Sequence, residues 1–260
     1  MRTGKTGRTG GGRAAASLLA AIAFALPRPA CGQSETPFEP PGSDGELRVL
    51  FLGNSLTYSN DLPGMLAFLL DDAEIDATVT SLAYPNFGLQ DHWEVRDTHD
   101  VIAEGWDVVV LQQGPSATEG RPSLIEFAGR FAELIREARA TPALYMVWPA
   151  AARSFDFQGV SDSYAAAAER IGGLLFPAGE AWLDAWELDE DIALYGRDRF
   201  HPSPLGSYLA ALVMYEQLSG ADARELTSSI PGFAGVSDDD LNALRQAAHR
   251  ANTDHRLPSR

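Results

Sequence analysis

The 260-residue sequence contains one cysteine, Cys31. That excludes an internal disulfide, a cysteine-based zinc site and a cysteine framework. Positive charge is also scarce, with 20 Lys+Arg against 36 Asp+Glu and a net charge of −16. A surface of that sign repels phosphate backbones, so nucleic acid is not the expected partner. No Gly-x-x-x-x-Gly-Lys-Ser/Thr segment follows the first strand-like run, which removes the usual phosphate-binding loop. The apolar run Ala14–Leu26 holds 13 residues, short of the roughly 20 that cross a bilayer as a helix, so stable membrane insertion is not expected. What is present is ordinary globular usage, 45% hydrophobic and 22% charged, in a chain long enough for one full domain.

The beginning of the chain reads differently from the rest. Arg2, Lys5, Arg8 and Arg13 precede the run Ala14–Leu26, and Pro27-Arg28-Pro29-Ala30-Cys31-Gly32 follows it. A basic segment, a short apolar segment and small residues at a cleavage point form the layout of a secretory signal peptide, here residues 1–32 with cleavage before Gln33. The expected location is secreted or periplasmic. A lipid anchor on Cys31 is the alternative, against which Arg28 stands where lipoprotein signals usually carry Leu. Five basic residues lie in 1–32 and no acidic one, so the remainder would carry −21. Residues 33–45, rich in Pro, Ser, Glu and Gly, read as a linker, and 46–260 as the domain.

Within the domain, strand and helix patterns alternate. Leu47–Leu52, Ile75–Ala83, Asp107–Leu111, Ala143–Trp148 and Gly173–Phe176 read as strands. Asn60–Ala73, Leu89–Ala103, Ser123–Ala140, Ser161–Ile171 and Leu205–Leu218 read as helices, with Asn60 as a cap and Pro63 in a first turn. Such alternation argues a parallel sheet covered by helices on both faces. Ligands of such sheets bind beyond the carboxyl ends of the strands.

Two polar motifs fall at such ends. Gly53-Asn54-Ser55-Leu56-Thr57 follows the first strand directly, where Ser55 presents its hydroxyl at the sheet edge beside helix N–H groups. Asp198-Arg199-Phe200-His201 precedes the last strong helix, and one turn of that spacing sets a carboxylate beside its histidine. A serine nucleophile needs such a base, and the base needs such an orienting group.

These blocks resemble the SGNH, or GDSL-type, hydrolases. Gly53-Asn54-Ser55-Leu56 matches the family's serine block with Asn for Asp, and Asp198 to His201 matches its last block. The absent second glycine separates the serine block from the Gly-x-Ser-x-Gly elbow of α/β-hydrolases. The resemblance spans Leu47 to Gly220. It implies a three-layer α/β/α sandwich of about five parallel strands, flavodoxin-like in plan, and ester hydrolysis through an acyl-serine. Ser55 would be the nucleophile, His201 the base and Asp198 its orienting partner. The N–H groups of Ser55 and Gly88 would supply the oxyanion hole, with Asn86 as the alternative in the second block. The third block, normally Gly-x-Asn-Asp, is replaced by Gln112-Gln113-Gly114-Pro115-Ser116. A glutamine amide can donate the same hydrogen bond from a longer arm, and Gln113 is preferred over Gln112. The chain looks like a divergent branch carrying Gly-Asn-Ser and Leu-Gln-Gln. The resemblance implies no metal or organic cofactor.

Other features read as structural. His92 and His99, seven apart on one expected helix, would lie roughly 10 Å apart, too far for one metal ion, and are expected on its surface. The tryptophans 93, 106, 148, 182 and 186 read mainly as packing, with Trp148 best placed to meet a ligand. Ser237 followed by three aspartates reads as a helix cap rather than a calcium loop. His249 and His255 are expected to be solvated. The leading expectation is a secreted serine esterase removing short acyl groups, acetyl above all, from a small-molecule or glycan ester. A lipase or thioesterase on longer chains, and a non-catalytic carbohydrate-binding or scaffold domain, are the alternatives. Oligomeric state is left open.

Overall fold

The computed structural model describes residues 45–227, 233 and 236–255. The leader, its cleavage point and Cys31 lie outside the described residues. Five strands form one parallel sheet in the order β2-β1-β3-β4-β5: β1 Leu47–Gly53, β2 Ala77–Ala83, β3 Val108–Leu111, β4 Thr141–Tyr145 and β5 Leu174–Phe176. β3 is buried at every position and β1 at all but one, the uniform burial of strands covered on both faces. β2 lies at the edge and alternates between half-buried and exposed residues.

Nine α-helices are seen among the described residues. They are α1 Ser55–Tyr58, α2 Leu62–Asp72, α3 Leu89–Glu94, α4 Arg96–Ile102, α5 Arg121–Glu137, α6 Phe157–Ile171, α7 Ala178–Leu188, α8 Pro204–Ser219 and α9 Asp238–Asp254. α5 packs on α3 and α6, while α8 packs on α2, α7 and α9, giving the expected three-layer α/β/α sandwich. The sequence of α8 is apolar on every side, and eleven of its residues are buried, as befits a helix enclosed by sheet and helices together.

Several boundaries differ from those read in the sequence. The helix expected over Leu89–Ala103 is interrupted at Val95, whose extended backbone (φ −97°, ψ 122°) separates α3 from α4, so His92 and His99 share no face. Asp61, not Asn60, caps α2 through its side chain on Gly64 N. α6 begins at Phe157, four residues before Ser161, and β4 ends at Tyr145, before Trp148. α7 and the full length of α9 are additional. Their buried stripes consist largely of alanine, at 178, 181 and 185 and at 247, 248 and 251, a weak periodic signal. Ser237 does cap α9, its hydroxyl accepting from Asp240 N at 3.0 Å.

The strand order places β1 between β2 and β3. The chain leaves β1 toward one edge and returns to the other side for β3, so the sheet's topological switch lies at the carboxyl end of β1. A crevice opens at such a point, and Ser55 lies two residues beyond Gly53, the last residue of β1.

Candidate active site

Asn54 holds extended backbone (φ −136°, ψ −153°) between β1 and α1. Its side-chain oxygen accepts from Leu56 N at 3.0 Å, and its amide nitrogen donates to the Phe87 carbonyl at 2.8 Å. A carboxylate could make the first bond but not the second, which gives Asn its place in this block. Ser55 opens α1, where a backbone N–H has no intrahelical acceptor.

His201 reaches Ser55 from the far end of the chain. Its Nε2 lies 2.8 Å from Ser55 Oγ and its Nδ1 2.5 Å from Asp198 Oδ2. Asp198 Oδ1 accepts from the backbone N–H of Phe200 and His201, at 3.1 and 3.0 Å. The turn that allows this carries Arg199 in the left-handed region (φ 61°). The hydrogen bond from His201, helped by the Phe200 N–H, holds the Asp198 carboxyl down to about 2. A carboxylate beside Nδ1 keeps the proton there and leaves Nε2 to accept the serine hydroxyl.

The histidine loop is anchored from several sides. Trp148 Nε1 donates to the Phe200 carbonyl at 3.0 Å, Tyr195 Oη to the Pro149 carbonyl at 2.6 Å, and Ala151 N to the Arg199 carbonyl at 2.9 Å. Asn60, read in the sequence as a cap, instead joins the nucleophile segment to this loop. Its amide donates to the Pro202 carbonyl at 3.0 Å and to Ser207 Oγ at 2.9 Å.

The expected oxyanion donors are placed differently. Gln113 Oε1 accepts from Leu89 N at 3.1 Å, while its Nε2 donates to Ser116 Oγ at 2.9 Å and to the Gly120 carbonyl at 3.3 Å. Gln112 is fully buried; its Oε1 accepts from Asn54 N and Thr57 Oγ1, and its Nε2 donates to the Gln113 carbonyl. Both amides therefore spend their donors on the loops around the site. The Gly88 N–H donates to Asp91 Oδ2 at 2.7 Å, a side-chain hydrogen bond at the start of α3. Asn86 is exposed and left-handed (φ 62°) in the same loop.

His92 is a correction. Expected on a helix surface, it is fully buried behind the nucleophile block, with Nε2 2.8 Å from the Gly53 carbonyl. Tyr84 and Phe87 pack on its ring, and this burial lowers its pKa. Periodicity over an assumed continuous helix gave the wrong face. Trp148 is likewise fully buried and stacked on Trp182 at 3.6 Å, so it meets protein rather than ligand. His249 is half-buried and paired rather than free in solvent: its Nδ1 lies 2.6 Å from Glu216 Oε1 and 3.6 Å from Asp222 Oδ1. Among the described residues these three have metal-like spacing. Asp222, however, is gripped through both oxygens by Arg224, so an internal cation already answers the charge. His255 sits 3.6 Å from Glu180.

Fold and site together describe a hydrolase built on a parallel α/β/α sandwich. No family model matches the chain, and no curated protein matches its sequence. Among solved structures, a provisionally assigned SGNH hydrolase from Slackia heliotrinireducens is 29% identical, with a TM-score of 0.59, covering 67% of this chain and 100% of its own. A DUF4886 family protein from Bacteroides uniformis is 19% identical, with a TM-score of 0.70, covering 83% and 98%. A provisionally assigned GDSL-like lipase from Parabacteroides merdae is 15% identical, with a TM-score of 0.55, covering 71% and 99%. The last two are likenesses of fold. The first supports the resemblance to SGNH-type hydrolases read from the sequence blocks.

Proposed function

We propose that the protein is an exported serine esterase that removes short acyl groups, acetyl above all, from carbohydrate through an acyl-serine intermediate. The observation that carries this reading is the relay from Asp198 through His201 to Ser55 Oγ, at 2.5 and 2.8 Å. In the forward step Ser55 Oγ attacks the ester carbonyl carbon while His201 Nε2 takes the hydroxyl proton, and Asp198 stabilises the resulting imidazolium. Collapse of the tetrahedral intermediate breaks the bond to the alcohol oxygen, which receives the proton from Nε2. Water then attacks the acyl-serine with His201 again as base, releasing the carboxylic acid and restoring Ser55. Export is read from the leader in residues 1–32.

Two backbone N–H groups are the candidate oxyanion donors. Ser55 N–H is favourably placed at the start of α1, and Gly88 N–H becomes available when Asp91 swings away. The engaged amides of Gln112 and Gln113 favour one second reading, a carbohydrate-binding domain that retains the fold, since losing one such donor costs about 100- to 1000-fold in rate.

The domain from Gln33 to Arg260 and its Ser55→Ala variant, both checked for folding, decide between the two. Hydrolysis of p-nitrophenyl acetate that disappears in the variant supports the esterase, and preference for the octanoate moves the substrate toward lipids. Equal inactivity of both proteins, together with no labelling of Ser55 by a phosphonate probe, would leave the binding domain.

A further inference from the structure

Between the loop after β3 and the loop after β4 lies an open cavity of about 310 Å³, with Gly114, Pro149, Ala150, Arg153 and Phe200 in its walls. Phe200 directly precedes His201, and the two rings lie 5.2 Å apart. The cavity therefore adjoins the base, on the β3–β4 side of Ser55. Gly88 and the Phe87 carbonyl that holds Asn54 lie on the β2 side.

Charge enters from both loops, Glu119 on one and Arg153 and Asp156 on the other, beside the apolar Pro115, Pro149 and Phe200. Arg153 is paired with Asp156, its neighbour three residues on, and lies 3.8 Å from Glu119 of the opposite loop. Its guanidinium also reaches over the ring of Phe155 at 6.0 Å. That ring is 77% exposed, more than any other large apolar side chain described.

We propose that this cavity receives the alcohol part of the ester, that this alcohol is a neutral polyhydroxylated ring, and that Arg153 selects it. The proposal rests on the esterase reading above and names the substrate's leaving group. During collapse the alcohol oxygen must come within hydrogen-bond reach of His201 Nε2, and this cavity opens at Phe200, the residue next to that histidine. Its volume is at the small end for ligand sites, which run from roughly 300 to 1,000 Å³, so it suits a single ring. An alkyl chain there would strip water from three charged groups without hydrogen-bonding to them. An anionic alcohol meets two carboxylates against one guanidinium, in a chain of net charge −16, and is repelled. Hydroxyls satisfy both signs at once, donating to Asp156 and Glu119 and accepting from Arg153, while the ring's apolar face lies on Phe200 and the prolines. Phe155 offers a stacking surface for a neighbouring sugar of a longer glycan.

The test compares kcat/KM for a mono-O-acetylated methyl glucoside with that for ethyl acetate, which carries the same acyl group on a small alcohol. Two variants are used. Arg153→Met removes the charge and keeps the stem. Gly114→Phe fills the cavity, since a Cβ at Gly114 meets nothing within 4 Å and its φ is not positive. In both, the ratio of sugar ester to ethyl acetate is expected to fall at least tenfold, chiefly through KM. An unchanged ratio in both variants overturns the proposal. So does a Gly114→Phe variant whose loss follows acyl length, measured with ethyl octanoate against ethyl acetate, because the cavity would then hold the acyl chain. Calorimetric binding of methyl glucoside to Ser55→Ala, weakened by adding Arg153→Met, reads the subsite without catalysis. Binding without turnover in the wild type would sink the esterase reading alone; turnover with an unchanged ratio would sink the subsite alone.

Discussion

His92 Nε2 lies 2.8 Å from the carbonyl oxygen of Gly53, two residues before Ser55. A buried neutral imidazole thus fixes the last peptide of β1 from behind, while Tyr84 N donates to the same oxygen at 3.1 Å. Asp198 and His201 approach Ser55 from the solvent side, so the nucleophile block is held between two histidines with opposite environments.

That contrast predicts a pH effect on stability. Burial lowers the His92 pKa from 6.5, against the upward pull of its bond to Gly53 and of Asp91. The unfolded chain takes up a proton near 6.5 that the native site refuses. Stability is therefore complete above that pH and is lost as pH falls toward the lowered native value, by at most about 1.4 kcal/mol per pH unit. His92→Gln can still donate to Gly53 but does not titrate. Urea unfolding from pH 7.5 to 5 should show a steeper loss for the wild type than for the variant, and parallel slopes would refute a neutral buried His92.

Asp198→Ala should lower kcat toward p-nitrophenyl acetate by about 10²- to 10⁴-fold with little change in KM, because the carboxylate acts on the imidazolium formed during reaction. The lower part of that range is favoured by the exposure of the pair, 53% for the Asp198 side chain and 36% for His201, since water screens their attraction. Steady-state kinetics on folded protein measure it, and a change confined to KM would assign Asp198 to binding instead.

Restoring the family's aspartate at position 54 should harm this protein. Asn54→Asp keeps the bond from Leu56 N but sets a carboxylate oxygen against the Phe87 carbonyl, where Nδ2 now donates at 2.8 Å. The expected cost is about 1–3 kcal/mol in chemical unfolding, together with lower kcat as the loop carrying Gly88 loosens. A variant as stable as the wild type would show that the Asn54–Phe87 bond contributes nothing.

The sheet was legible in the sequence because β1 and β3 are short uniform apolar runs ended by glycine or polar residues. Ser55, Asp198 and His201 were legible because each lies in a compact motif at an element end. What could not be read was the direction in which amides point. Gln112 and Gln113 carry the right groups for an oxyanion, yet their bonds to Asn54, Thr57, Leu89 and Ser116 depend on loops far apart in sequence. His92 was misread because one extended residue, Val95, breaks the helical period on which its face was assigned. One local signal was available: Thr57 two residues after Ser55. A methyl at Gly53 would overlap Thr57 Oγ1 and lie 2.6 Å from Gln112 Oε1, so Gly53, Thr57 and Gln112 form one interlocked unit.

The Asp91–Gly88 hydrogen bond at the start of α3 gives a prediction in which stability and activity move oppositely. Asp91 holds the Gly88 N–H at 2.7 Å, the donor that the family resemblance assigns to the oxyanion. Asp91→Ala removes this hydrogen bond, at about 0.5–1.5 kcal/mol, and also removes the carboxylate that competes with the oxyanion for that N–H. Thermal unfolding should therefore show a less stable protein, while kcat for p-nitrophenyl acetate rises several-fold. A mere structural role for Asp91 lowers both quantities together. In that outcome Gly88 would not be an oxyanion donor, and the Ser55 N–H would need a different companion.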